Sequence, residues 1–359
     1  MPSTAPADAP ARETRIDIVR GVAILVILIN HLGQVAELGG LREGLIPTPT
    51  RLGWSTAAEL FVMLSGYMVG LVYLSRPAPM LAVWKRAGRL WLYNLALLAC
   101  VLPLAALMPA EELAFWNLGA FVTDPLRAGV RFLTLQSAPR LLDILQLYIV
   151  LMLAAPIAIA VQRRSNALLI ALSVAIWIGA QVWTIDRVAG GGMKDGLPDR
   201  LAWQMMFFVP MALGSMRIHV ALLAWLDRHR LVALPLVLLF AAGAVVKPMG
   251  IEPAWLDARH GLTVLRVGHA VLVLLLYLSL LTLLGGWLRR QPYAAVAAIG
   301  RRSLDTFAGG VLLTYGLGTL VLRLGSGHGA YLAAVAIGIA ATVALAYALD
   351  VASNRRPAR

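Results

Sequence analysis

Charge is scarce in this sequence. Asp, Glu, Lys and Arg make up 14% of its 359 residues, where a soluble domain carries about a quarter. Cysteine is scarcer still. Cys100 stands alone, which excludes an intramolecular disulfide framework and any CxxC metal site. It sits in an apolar run and reads as a small buried filler. No small-residue cleavage site follows the first apolar run, so that run reads as a retained helix rather than a signal peptide. Internal repeats and a second, soluble domain are also missing. What is abundant is apolar: 60% of the residues are hydrophobic, and the mean hydropathy is +0.78. Such a chain is an all-α polytopic integral membrane protein whose first partner is the lipid bilayer.

The net charge is +13, yet the basic residues fall in short loops between apolar segments. They form no stripe with interleaved aromatics, so nucleic acid is not the expected partner. A span needs about 20 mostly apolar residues. On that ruler the sequence predicts about ten transmembrane helices, near 16–37, 53–75, 88–108, 140–161, 167–186, 201–217, 231–247, 262–285, 304–322 and 330–350. Residues 109–138 are too polar to span and fit a helix lying in the interface. If the N-terminus is inside, the inner segments hold nearly twice as many Lys and Arg as the outer ones, while the acidic residues run the other way. The Lys/Arg bias sets orientation, and an even number of spans then leaves both termini cytoplasmic. The organisation expected is a disordered cytoplasmic N-terminus over 1–14, one transmembrane domain over 15–350, and a cytoplasmic tail over 351–359.

Polar residues inside the spans carry the functional reading, because an ionisable group at the bilayer centre costs about 2.5–3.5 kcal/mol. Asp17, Arg20 and His31 lie on the first helix. Eleven residues separate Arg20 from His31, about 1100° of rotation, so the two differ by only about 20° around the axis and by about 16 Å along it. Asp17 falls within about 60° of both. One face therefore carries an anion-binding guanidinium near one end and a titratable base further up. The plainer alternative is an Asp17–Arg20 pair at the lipid interface with His31 hydrogen-bonded in the bundle.

Glu59 shares a helix face with Met63, Gly66 and Gly70. The two glycines allow close approach of another helix, which would bring Glu59 near a neighbour, with His31 the expected one. Arg140 and Asp143 open the fourth helix one turn apart, as a site or as a simple i,i+3 pair. Arg266 and His269 share a face of the eighth. Lys85, Arg86 and Arg89 are either positive-inside anchors or a mouth for a phosphate-bearing donor.

These stretches resemble the OpgC-type membrane acyltransferases. The likeness is carried in order by "RIDIVRGVAILVILINHLG", "AAELFVMLSGYMVGLVY", "LLDILQLYIVLMLAAPI", "RLAWQMMFFVPMALG", "LRVGHAVLVLLLYL" and "IGRRSLDTFAGGVLLT", from residue 15 to about 314. That family is similar to the wider acyltransferase-3 superfamily, whose first helix carries an Arg, ten residues, then a His; Arg20 and His31 match this spacing. Asn30 stands where the family often has an acidic residue before the histidine.

The resemblance implies a multi-pass protein of the bacterial inner membrane. It would transfer an acyl group, succinyl in OpgC itself, from a cytoplasmic acyl-CoA such as succinyl-CoA to a hydroxyl of an osmoregulated periplasmic glucan. The acyl-CoA is a cosubstrate; no bound cofactor and no metal are expected. On this reading His31 is the general base and Glu59 orients it. Asp17, Arg20, Lys85, Arg86 and Arg89 bind the donor, while Arg140, Asp143, Arg266 and His269 bind the acceptor or stabilise the oxyanion. A covalent intermediate is not required, and a relay through Ser65 or Tyr67 stays open. Two rivals remain: a transporter with charges lining a solute or proton path, and a non-catalytic subunit presenting glycan to another enzyme.

Overall fold

The first helix, α1 (Thr14–Leu38), is the element around which the others gather; it packs on six of the helices introduced below. It starts at Glu13, whose side chain accepts the Arg15 N–H. Burial pushes the Glu13 carboxyl up, but hydrogen bonds from Arg15 and its charge outweigh this and hold it below the usual carboxylate range. The computed structural model describes residues 13–189, 199–251, 256, 258–285 and 291–354. Of the disorder expected over 1–14 and the tail expected over 351–359, residues 1–12 and 355–359 lie outside them, whereas Thr14 already belongs to α1 and residues 351–354 continue the last helix.

After α1 come the single turn α2 (Pro49–Leu52) and then α3 (Ala57–Met68), which a π turn extends over Val69–Tyr73. The long α4 (Pro79–Ala105) is followed by three short helices, α5 (Ala110–Phe115), α6 (Gly119–Thr123) and α7 (Pro125–Leu133). These fill the stretch too polar to span; α7 starts with Asp124 as N-cap and Pro125 in its first turn, both favoured there. Next are α8 (Leu142–Gln162), α9 (Asn166–Ala189), α10 (Arg200–Trp203), α11 (Met205–Ser215), α12 (Ile218–Arg228) and α13 (Ala233–Val246). The chain closes with α14 (Val264–Leu283), α15 (Gln291–Arg301), α16 (Ser303–Arg323) and α17 (His328–Asn354). No strand occurs among the described residues.

Among the described residues seven helices are long and apolar enough to cross a membrane, or eight if Arg200–Ser215 and Ile218–Arg228, bent by 82°, count as one span. The sequence predicts about ten; the helices that pass this length and composition test are fewer. Ala57–Tyr73 and Asn166–Val182 are apolar but shorter. The former loses its first turn because the chain before Ala57 is not helical: Thr56 is an extended N-cap. The bend at α12 falls at Arg217, which takes a left-handed conformation with φ 52°.

Glycines set two helix contacts. A Cβ on Gly21 would stand 2.1 Å from the Val296 carbonyl oxygen, and one on Gly300 would stand 1.8 Å from that of Asp17. The backbones of α1 and α15 therefore touch beside Asp17 and Arg20. Gly66 and Gly70 do the same for α3 against the Phe207 and Met211 carbonyls of α11, at 2.1 and 1.9 Å. The small-xxx-small pattern read from the sequence thus closes a helix pair, but the partner is α11. Cys100 corrects another expectation: it is exposed on the bundle surface. In a membrane protein the outward face is apolar too, so an apolar run does not say which side faces the core.

Candidate functional site

Two polar clusters occupy the two ends of α1. At its N-terminal end Arg20 donates to the hydroxyl of Ser303, the first residue of α16, and its guanidinium lies 4.0 Å from the Asp17 carboxylate. Asp17 is buried and Arg20 largely so. The positive charges acting on the buried Tyr148 of α8 are Arg86 and Arg20. Two of the five expected donor-binding residues, Arg20 and Arg86, therefore act on one tyrosine, and a third, Asp17, lies beside Arg20. Arg89 and Arg86 also act on Tyr93, whose hydroxyl donates to Asp305 in the first turn of α16. Lys85 is exposed on α4. The arrangement can bind an anion: fixed guanidiniums, a hydroxyl and tyrosines meet at the ends of several helices.

His31 belongs to the second cluster, towards the C-terminal end of α1. The charges acting on it are Arg259 and Arg140, and Gln34, which accepts from Arg140, lies one turn on. Its Nδ1 is buried with no hydrogen-bond partner among the described residues. Asn30 accepts a 2.5 Å hydrogen bond from the Thr48 hydroxyl, so this departure from the family pattern is anchored to the loop before α2.

Arg140 lies in the turn just before α8 rather than inside it. Leu141 follows with φ 77°, a left-handed conformation that costs a non-glycine residue about 1–3 kcal/mol. That strained turn holds Arg140 in place. Its Nε donates to the Phe115 carbonyl at 2.8 Å, Nη1 donates to Gln34 at 3.3 Å, and the guanidinium lies 4.4 Å over the Phe115 ring. The Tyr315 hydroxyl donates to the Arg140 carbonyl at 2.7 Å. Asp143, one turn on, pairs with Arg259 at 3.4 Å.

Glu59 is fully buried, and both its oxygens are taken. Oε2 accepts from the Thr56 amide at 2.9 Å and the Thr56 hydroxyl at 2.5 Å. Oε1 accepts from Nε and Nη2 of Arg266 at 3.0 and 2.6 Å. The bond to His31 expected of it is replaced by this pairing. A local reason is visible in the sequence: Thr56-x-x-Glu59 is a capping box, which turns the Glu side chain back onto its own helix start. Arg266 and His269 do share the buried face of α14, but they divide. Arg266 binds Glu59, while His269 receives Ser55: its Nδ1 is 2.7 Å from the Ser55 hydroxyl and 3.2 Å from the Ser55 amide. His269 also meets the edge of Trp54, with ring centroids 5.8 Å apart.

Sequence reasoning missed Arg259, Gln34, Ser55, Thr56, Tyr148 and Ser303. The capping box would have revealed Thr56, and Gln34 lies one turn beyond His31; the other four carry no local signal. Arg259 had been counted as an ordinary loop charge, yet it acts on His31 and Glu59 and pairs with Asp143. Among the described residues no three His, Cys, Asp or Glu side chains gather as a metal site.

Chemically, the second cluster holds a histidine with a buried unoccupied nitrogen, flanked by guanidiniums. Such a site suits proton abstraction beside a developing or fixed negative charge. No curated protein and no solved structure matches the chain. A family model does match, and it extends the likeness past residue 320 through the last helix: residues 12–354 fit the OpgC protein family, and the chain belongs to that family.

Proposed function

We propose that the protein is an O-acyltransferase of the bacterial inner membrane. It moves an acyl group from a cytoplasmic acyl-CoA to a hydroxyl of a periplasmic glucan or another cell-envelope glycan. Succinyl, carried by succinyl-CoA, is the group the family likeness favours. Family membership and the apolar helices support a membrane protein of acyltransferase type. The observation that carries the finer reading is the division of α1 into two polar ends about 16 Å apart, with Arg20 and Arg86 at one and His31 at the other.

Donor phosphates bind at the Arg20 end, where Asp17 and Ser303 fix the guanidinium. The thioester reaches towards His31 along the helix. There His31 takes the proton of the sugar hydroxyl as that oxygen attacks the acyl carbonyl, a role worth about 10²–10⁴ in rate. Arg140 and Arg259 stabilise the oxyanion or hold the acyl carboxylate. Arg266 and Glu59 brace the start of α3, which makes them positioning residues on this reading.

Both termini are cytoplasmic, with Ala57–Tyr73 and Asn166–Val182 completing an even number of crossings. Leu45→Cys and Met80→Cys, made in a Cys100→Ala background, should react with a membrane-impermeant maleimide from opposite sides. Labelling from one side sinks this topology. A transporter would be favoured by matching broken helices in two halves, but the described residues hold a single bent pair.

The test is mass spectrometry of periplasmic glycans from a deletion strain and from strains rescued with wild type or His31→Gln. One acyl mass restored by wild type alone supports the reading. An unchanged glycan profile removes it and makes radiolabelled solute uptake the next assay.

A further inference from the structure

The Ser55–His269 contact lies outside the roles assigned above, and its geometry is that of a nucleophile with its base. Two donors of Ser55, the hydroxyl and the backbone N–H, converge on Nδ1 of His269. An imidazole nitrogen receiving a backbone N–H is an acceptor, so in the neutral ring the proton resides on Nε2. The Ser55 hydroxyl then shares that nitrogen's lone pair with the longer backbone N–H contact, and the 2.7 Å approach aims its proton at the ring, which is how a hydroxyl becomes an attacking group. Both residues are buried, at 4% and 5% exposure.

The surroundings hold this pair still. Gly53 faces the far edge of the imidazole, where a Cβ would stand 1.9 Å from Nε2. The ammonium of Lys247 donates to the carbonyls of Thr50 and Gly53, pinning the loop that carries Ser55. Thr56, the next residue, is fixed by the Glu59–Arg266 pair. The charges acting on the imidazole are Lys247, Glu59 and Arg266.

Two observations point to a ligand. The Nε2 of His269 is buried without a hydrogen-bond partner among the described residues. A buried donor left unmade costs about 1–3 kcal/mol. Next to Ser55 a small cavity opens, lined by Ser55, Thr56 and Thr50 on its polar side and by Ala23, Val26 and Tyr277 on its apolar side. Its apolar wall runs along α1 between Arg20 and His31, the path a donor arm would follow.

We propose that Ser55 is the nucleophile of a covalent acyl relay, with His269 as its general base. The proposal rests on the acyl-transfer reading above. In the first half, the Ser55 proton moves to Nδ1 of His269 and Oγ bonds to the acyl carbonyl carbon. The C–S bond of the thioester then breaks, and coenzyme A leaves as its thiolate. In the second half, an acceptor hydroxyl attacks the Ser55 ester and gives its proton to His31. The ester C–Oγ bond breaks, and Oγ takes back the proton held by His269. The proton on His31 passes to solvent and balances the thiolate released earlier.

The experiment uses purified full-length protein in detergent, with radiolabelled succinyl-CoA and acetyl-CoA as separate probes and no acceptor. The expected result is a labelled ester on the Ser55 peptide in wild type, absent from Ser55→Ala and built up in His31→Gln, whose second half is blocked. Ser55→Cys should carry the label as a thioester, released by neutral hydroxylamine under conditions that leave the serine ester intact. A cysteine retained for structure alone would not produce that change. Melting temperature and gel-filtration profile check that each variant folds.

Two outcomes overturn the relay while leaving acyl transfer standing. One is wild-type glycan acylation in Ser55→Ala. The other is active wild type with no label at Ser55 in any variant, which would leave the serine as a support for His269. If wild type neither releases coenzyme A nor acylates glycan, the acyl-transfer reading fails and the relay falls with it.

Discussion

The two ends of α1 solve different electrostatic problems. At the N-terminal end the polar groups come from several helix ends: Asp17 and Arg20 from α1, Arg86 from α4, Tyr148 from α8 and Ser303 from α16. These groups are buried or half-buried, and exposed Lys85 and Arg89 stand near Arg86 on α4. At the other end acids and bases are cross-paired over long distances in sequence, Glu59 with Arg266 and Asp143 with Arg259, and Glu37 pairs with the nearby Arg51. Inside that lattice the two histidines each keep one buried nitrogen unengaged. Exposed cations on α4 leading to a largely buried guanidinium suit capture of a charged ligand from water, whereas the fully buried Glu59–Arg266 pair suits a region that must exclude water.

The largest effect expected from breaking this contrast comes from Glu59→Ala. It leaves Arg266 buried without its carboxylate and uncaps α3, and breaking a buried pair costs about 3–5 kcal/mol. Detergent-solubilised protein should lose most of its melting transition or fail to accumulate. A variant that melts like wild type would show the pair to be dispensable.

Next in size is His31→Gln, which should lower the rate of glycan acylation by about 10²–10⁴ at an unchanged melting temperature. A fall below tenfold would move the base elsewhere in the second cluster. Gly21→Ala comes third. Its methyl group meets the Val296 carbonyl, and such overpacking costs about 1–3 kcal/mol, read as a lower melting temperature. The smallest effect is that of Arg20→Lys. It keeps the charge but loses the guanidinium fork, so the KM for the acyl-CoA should rise several-fold while kcat stays near wild type. Unchanged kinetics would remove Arg20 from donor binding.

Much of the first end was legible in the sequence because its logic is local. The Arg20–His31 spacing and the position of Asp17 follow from helical geometry, and the structure keeps Asp17 beside Arg20. The second end was less legible because its bonds are not local. Glu59 and Arg266 are 207 residues apart, and nothing in either segment marks the other as partner. Ser55 and His269 meet across 214. Arg259 was discounted because charge in a loop is what membrane orientation predicts. The span count suffered from a different ambiguity: apolarity marks the core face and the lipid face alike, so helix length depends on caps such as Thr56 that a hydropathy window does not see.

The backbone contact between α1 and α15 has a mechanical consequence. With Gly21 seated on the Val296 carbonyl and Gly300 on that of Asp17, the two helices interlock like paired teeth and can tilt only as one rod. Arg20 therefore rides on a fixed wall of the donor end. Any widening that admits a bulky headgroup has to come from the opposite jaw, where α4 and α8 carry Arg86 and Tyr148.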